Sequence, residues 1–169
     1  MSARPRLSAF FLVAVLLALA DQLLKRAVDA SFAVGESRVL LPGFLNLTYL
    51  RNPGGAFSLL AGLPPAWGRG FFIAVTLAAL AFVFYLYRWS PPPTRWGRLG
   101  LPAIFGGGLG NLVDRVATGE VVDFILLYYR DYHWPAFNLA DSAITVGVVL
   151  LAVDALRGRS AGPTEAGGP

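Results

Sequence analysis

The chain has 169 residues, 56% hydrophobic and 14% charged, with a mean hydropathy of +0.59; a soluble domain carries about a quarter charged residues, so the apolar excess of this one domain faces lipid. The formal net charge of +4 rests on thirteen Arg and a single Lys, Lys25, with no basic run, which suits anionic lipid head groups and makes no case for nucleic acid. The absence of Cys excludes thiol catalysis, disulfides and Cys-ligated metal, and the lone His133 excludes a His-rich metal site.

A hydrocarbon core of about 30 Å needs roughly 20 apolar residues in a helix. On that basis the chain reads as an integral membrane protein, mainly α, with four transmembrane helices. The first spans about residues 7–28, apolar to Ala20 and then carrying Asp21, Lys25 and Arg26. Arg4 and Arg6, with Ala18-Leu19-Ala20 downstream, resemble a secretory signal peptide and its cleavage site. The helical pattern continues through Leu23, Leu24, Ala27 and Val28, however, which favours an anchor.

Residues 38–50 are partly alternating and β-prone, and they break at Asn52-Pro53-Gly54-Gly55, a strong turn signal. The second span covers about 68–87, with Trp67, Tyr85, Tyr87 and Trp89 at its ends, as is usual at a lipid–water boundary. A rigid polar link follows, with Pro91-Pro92-Pro93 among Arg88, Arg95 and Arg98. The third span, about 96–117, is rich in Gly. Residues 121–134 are apolar and aromatic but too short to cross, and are expected to lie at the interface in a small sheet with 38–50. The fourth span covers about 137–156, so that residues 1–159 form one membrane-embedded domain before a polar tail, 160–169, that reads as disordered.

Four spans put both termini on one side. Lys and Arg divide seven to seven between the two sides. Arg4, Arg6, Arg88, Arg95, Arg98, Arg157 and Arg159 lie in short segments, where the positive-inside rule applies best. That places the termini in the cytoplasm and the non-helical stretches outside.

Charge at membrane depth costs about 2.5–3.5 kcal/mol per residue on insertion scales. Four acids nevertheless lie in or beside the spans, all toward the outer side: Asp21, Asp114, Asp123 and Asp141. Asp21 and Lys25, at i and i+4, share a helix face, either as a simple ion pair that lowers the cost of burying each charge or to take a direct part in chemistry. The Gly-x-x-x-Gly at 106 and 110 serves close helix packing. Asn111, Asp114 and Arg115 put an amide, an acid and a guanidinium within about one turn, either as a structural Asp114–Arg115 pair or to hold a substrate backbone or phosphate. Asp123 alone reads as an interfacial turn residue, and Asp141 as a first-turn helix acid. Together, two carboxyls in apolar surroundings suggest an aspartic dyad that shares one proton, activates water and polarises a scissile carbonyl.

Taken in order, five blocks resemble the bacterial prolipoprotein signal peptidase family, signal peptidase II. They are Asp21-Gln22-Leu23-Leu24-Lys25, Asn52-Pro53-Gly54-Gly55-Ala56-Phe57-Ser58, Gly107-Gly108-Leu109-Gly110-Asn111-Leu112-Val113-Asp114-Arg115, Val121-Val122-Asp123-Phe124 and Phe137-Asn138-Leu139-Ala140-Asp141-Ser142. Each is weak alone; five in this order are specific, and they cover nearly the whole chain. Small departures are Pro53 at a variable position and Leu109 where Ala is frequent. The resemblance implies an inner-membrane aspartic endopeptidase that cuts prolipoproteins on the amino side of a diacylglyceryl-modified Cys, without metal or organic cofactor. It puts the catalytic pair on Asp123 and Asp141 and supporting polar groups on Asn52, Asn111, Arg115 and Asn138. Asp21, Lys25 and Asp114 become structural or substrate-orienting. It further implies a small extracytoplasmic β-cradle at 38–50, a short surface helix at roughly 56–64, contact with membrane phospholipid, and inhibition by the cyclic peptide globomycin.

Two rival chemistries leave sequence marks. A Ser-Lys peptidase would pair Lys25 with Ser58 or Ser142. A proton-coupled transporter would also keep acids in Gly-rich helices, although here the acids gather toward one end. The Gly-x-Gly-Asp of presenilin-like proteases and the Asp-Thr-Gly or Asp-Ser-Gly of soluble aspartic proteases are absent.

Overall fold

The computed structural model describes residues 7–54, 65–90 and 95–160. The surface helix expected at roughly 56–64 and the tail at 161–169 lie outside these residues. In chain order the elements are α1 (Leu7–Ser31), β1 (Ser37–Leu41), β2 (Leu45–Asn52), α2 (Pro65–Trp89), α3 (Arg95–Ala117), β3 (Val121–Tyr129), β4 (Tyr132–His133) and α4 (Leu139–Ser160).

The helices are inside-out relative to a soluble bundle. On α1 the buried stripe is Phe10, Ala14, Ala18, Asp21, Lys25 and Val28. Leu12, Leu16, Leu19 and Leu23 are more than half exposed on the other faces. Apolar residues pointing outward and charges pointing inward is the pattern of a lipid-facing surface. The helix runs unbroken through Ala20, where the sequence had suggested a cleavage site.

Among the described residues three helices are long and apolar enough to cross a membrane: Leu7–Ser31, Trp67–Trp89 and Leu139–Arg157. The Gly-rich α3 packs against all three. Its glycines explain how. A Cβ on Gly106 would lie 2.6 Å from the carbonyl oxygen of Ala14 on α1, and one on Gly107 would lie 2.4 Å from that of Ala140 on α4. Gly110, one turn after Gly106, leaves room for the Asp21 carboxylate, 2.6 Å from the place a Cβ would take. The Gly-x-x-x-Gly thus faces α1, and its neighbour Gly107 admits α4.

The strands form one antiparallel sheet in the order β1-β2-β3-β4. The β-prone stretch is a hairpin rather than a single strand: Pro42-Gly43-Phe44 turns the chain, with Gly43 at φ 77°. Between β2 and β3 the register pairs Asn52 with Val121, Arg51 with Val122 and Leu50 with Asp123. The far edge of β3 is held by Phe137, whose carbonyl accepts from Phe124 and Ile125 and whose N–H donates to Ile125. This clamp sets the start of α4 beside Asp123. Val28, Tyr49, Val122 and Phe124 form a buried cluster that seats the sheet on the end of α1.

The helix contacts make a sharp expectation. Gly107→Ala forces its methyl against backbone and should cost about 1–3 kcal/mol, the usual penalty of overpacking. Gly70→Ala meets nothing within 4 Å and should be neutral. Thermal unfolding of both variants in detergent tests this; equal stability would refute the close-packing account.

Candidate active site

The site is built over a buried cation. Lys25 is 2% exposed. Its Nζ lies 2.7 Å from Asp21 Oδ2 and 2.8 Å from Asp114 Oδ2, and donates to Asn111 Oδ1 at 2.9 Å. Two carboxylates and one amide oxygen therefore surround the ammonium group. The two carboxylates hold other elements in turn. Asp21 Oδ1 accepts from the Ala140 N–H in the first turn of α4, and Asp114 accepts from the Val122 N–H at the start of β3 and from Gln22 Nε2. The expected Asp21–Lys25 pair is formed. Asp114 pairs with Lys25 and not with Arg115, because adjacent helical residues splay by about 100°.

Above this layer, three amides connect the remaining carboxyls. Asn138 is fully buried, and its Nδ2 donates to Asp123 Oδ1 at 2.8 Å and to Asn111 Oδ1 at 3.2 Å. Asn52 Nδ2 donates to the other Asp123 oxygen at 3.0 Å. Asn111 Nδ2 donates to Asp141 Oδ1 at 2.8 Å. With its oxygen held by Lys25, the Asn111 amide can present only its NH₂ to Asp141. At the start of α4 the Asn138 side chain accepts from the Asp141 N–H at 3.0 Å, while Asp141 Oδ2 accepts from the Asn138 N–H at 3.2 Å. This is a reciprocal capping box. The first-turn role of Asp141 is real, and it leaves Oδ1 for the site.

Asp123 and Asp141 both line one open cavity of about 590 Å³, together with Asn52, Arg115, Phe72 and Trp134. The Arg115 guanidinium stands 5.3 Å from the centroid of the Phe72 ring, and its Nε is buried without a hydrogen-bond partner. Asp123 lies on β3 and is 4% exposed. Burial above all, and then the Asp141 charge, push its carboxyl from 3.8 up to about 6, against the Asn52 and Asn138 hydrogen bonds and the Lys25 charge.

Asn52, Asn111, Arg115, Asn138, Asp123 and Asp141 thus gather around the cavity, with Asp21, Lys25 and Asp114 directly beneath. Sequence reasoning did not single out Gln22, Phe72 or Trp134. Gln22 has a signal, lying between the Asp21 and Lys25 positions in the first block. Phe72 and Trp134 are indistinguishable by pattern from the many interfacial aromatics. Ser142 Oγ donates to the Asn138 carbonyl, and Ser58 lies outside the described residues.

Paired carboxyls on a shared cavity, one on β3 and one in the first turn of α4, among helices that turn apolar faces outward, fit a membrane peptidase of the aspartic class. Residues 13–157 match the family model described as signal peptidase (SPase) II, and the chain belongs to that family. It is 44% identical to the lipoprotein signal peptidase of Geobacter metallireducens over 91% of this chain and 94% of that protein. To the lipoprotein signal peptidase of Cupriavidus necator it is 46% identical over 85% and 81%. A bacterial membrane enzyme solved in meso at 2.3 Å superposes with a TM-score of 0.85 at 32% identity, covering 99% of both chains. A second, solved at 1.9 Å, gives 0.81 at 34%, covering 93% and 98%.

A raised carboxyl pKa has a signed consequence. The fold favours protonated Asp123, so this contribution to stability is fully present below 3.8 and is lost as pH rises through about 6. Asp123→Asn stays neutral throughout. Its melting temperature relative to wild type should rise between about pH 4 and about pH 7, by the equivalent of roughly 3 kcal/mol. A pH-independent difference would show that Asp123 is not shifted. Asp141→Asn, which removes the neighbouring charge, should bring the Asp123 titration down.

Proposed function

We propose that the chain removes signal peptides from diacylglyceryl-modified prolipoproteins, cutting on the amino side of the lipidated Cys through water activated by Asp123 and Asp141. The observation that carries this reading is the pair of carboxyls on one cavity, tied together through Asn111 and Asn138. The raised pKa of Asp123 makes it the readier carrier of a proton. The ionised partner takes a proton from water, whose oxygen adds to the scissile carbonyl carbon while the protonated partner donates to the carbonyl oxygen. Collapse of the tetrahedral adduct breaks the C–N bond, and the proton passed to nitrogen frees the Cys amine. No step needs a metal or organic cofactor.

The remaining residues have roles that follow from their contacts. Asn52 and Asn138 hold the Asp123 carboxyl, and Asn111 holds that of Asp141. Arg115, which lines the cavity, is a donor for a substrate backbone carbonyl. Lys25, Asp21 and Asp114 fix the base of the site. Lys25 is held by Asp21, Asp114 and Asn111, and the Ser142 hydroxyl donates to the Asn138 carbonyl, so the Ser-Lys route lacks support. The same cavity is where a cyclic peptide such as globomycin would compete with substrate.

The proposed topology has α3 as a fourth span, the termini cytoplasmic and the sheet outside, with membrane phospholipid around the four helices. At 23 residues, α3 is about 35 Å long, enough to cross. Its Gly, Asn and Asp residues are buried against protein, which is why its composition falls short of a lipid-facing span.

The deciding assay compares wild type with Asp123→Asn and Asp141→Asn on a diacylglyceryl prolipoprotein in detergent. Both variants should fold, and each should lose about 10²–10⁴-fold in rate, the worth of acid–base catalysis. Full activity in either removes that residue from the mechanism, and a chelator should leave wild type unchanged. Because the chain has no Cys, the topology is tested with single Cys substitutions. An impermeant maleimide added to intact cells should label Asp131→Cys and spare Ser90→Cys; the reverse pattern would invert the orientation.

A further inference from the structure

At the end of the helices remote from the sheet, α3 begins and α4 ends. Arg95 on α3 and Arg157 on α4 both stand over the indole of Trp96, their guanidinium carbons 4.6 and 5.2 Å from the ring centroid. Both arginines are exposed, as is Arg98 three residues further along α3. With Arg88 at the end of α2, four arginines meet one acid, Asp154, among the described residues of this end. The N-terminal turn of α3 lies in the same place, and its dipole adds positive partial charge. Leu99 and Leu156, beside these arginines in sequence, are 53% and 66% exposed.

Each feature selects a ligand property. Guanidinium planes match phosphate oxygens bidentately and shed water more readily than an ammonium does. Trp at this depth marks the headgroup level. The exposed leucines are poor company for a free anion but fit acyl chains. We propose that Arg95, Arg98 and Arg157 around Trp96 form a binding site for the phosphodiester of an anionic phospholipid, in the leaflet opposite the active site. The site lies apart from the catalytic cavity and rests only on α3 crossing the bilayer.

The test uses the full-length chain in detergent, with melting followed against added phosphatidylglycerol, phosphatidylcholine or inorganic phosphate. Phosphatidylglycerol should raise the melting temperature by several degrees, and the other two should not. In Arg95→Gln/Arg157→Gln the apparent affinity for phosphatidylglycerol should fall about tenfold or more, with prolipoprotein cleavage unchanged. Arg130→Gln, at the sheet end, should keep the wild-type response. An equal response to phosphatidylcholine, saturation by inorganic phosphate, or an unaltered double variant would each overturn the site. Should the double variant fail to fold, native mass spectrometry of wild type and Arg157→Gln decides: no preference for retained phosphatidylglycerol, or one that Arg157→Gln leaves intact, overturns it. Cleavage by wild type, read in parallel, keeps this outcome separate from the peptidase reading.

Discussion

One buried ammonium group ties together the elements that border the cavity. Lys25 contacts Asp21 on its own helix and Asp114 and Asn111 on α3, and those carboxylates hold the first turn of α4 and the first residues of β3. Two negative charges and one positive charge at almost no exposure are expensive to desolvate. Such a cluster stands only because nearly every lone pair and proton in it is matched. Removing one member leaves the others uncompensated, typically at about 3–5 kcal/mol. The elements it joins are those that carry Asp123 and Asp141, so the separation of the two carboxyls is fixed from below.

The backbone makes that cluster possible. Were Gly110 any other residue, its Cβ would take the space of the Asp21 carboxylate, and a Cβ at Gly107 would push α4 away. The glycines therefore serve the site as much as the bundle, since close approach of α3 lets short Asp side chains span the gap between helices. The sheet supplies the other half of the frame. Its register puts Asn52 at the end of β2, within hydrogen-bond reach of Asp123 on β3, and the Phe137 clamp passes directly into the capping box of α4.

How legible this was in the sequence differs between elements. The apolar helices were readable because a lipid-facing residue is selected by hydrophobicity alone, and the buried ion pair because i, i+4 spacing fixes a shared face. The ends were less so: α1 runs to Ser31 and α2 starts at Pro65, each beyond the apolar run that suggested it. The hairpin at Pro42-Gly43-Phe44 was hidden within one β-prone stretch, since apolar side chains continue on both sides of the turn. Asp114 was seen as a charge near Arg115, yet its partner lies on another helix 89 positions away in the chain, and no local pattern encodes that. The same holds for the meeting of Asp123 with Asp141. Apolar surroundings and order of blocks suggested it, but only the packing of β3 against the start of α4 produces it.

The two layers of charge differ in what they border. Below, Lys25 has three acceptors, and Asp114 is bonded through both oxygens. Above, Arg115 keeps a buried Nε with no acceptor, and Asp123 sits beside a like charge with its carboxyl pushed up to about 6. Among the described residues a buried polar atom without a hydrogen-bond partner occurs in both layers, Asp21 Oδ2 below and Arg115 Nε above. Only the upper layer meets open space, on the cavity that Asp123, Asp141 and Arg115 line.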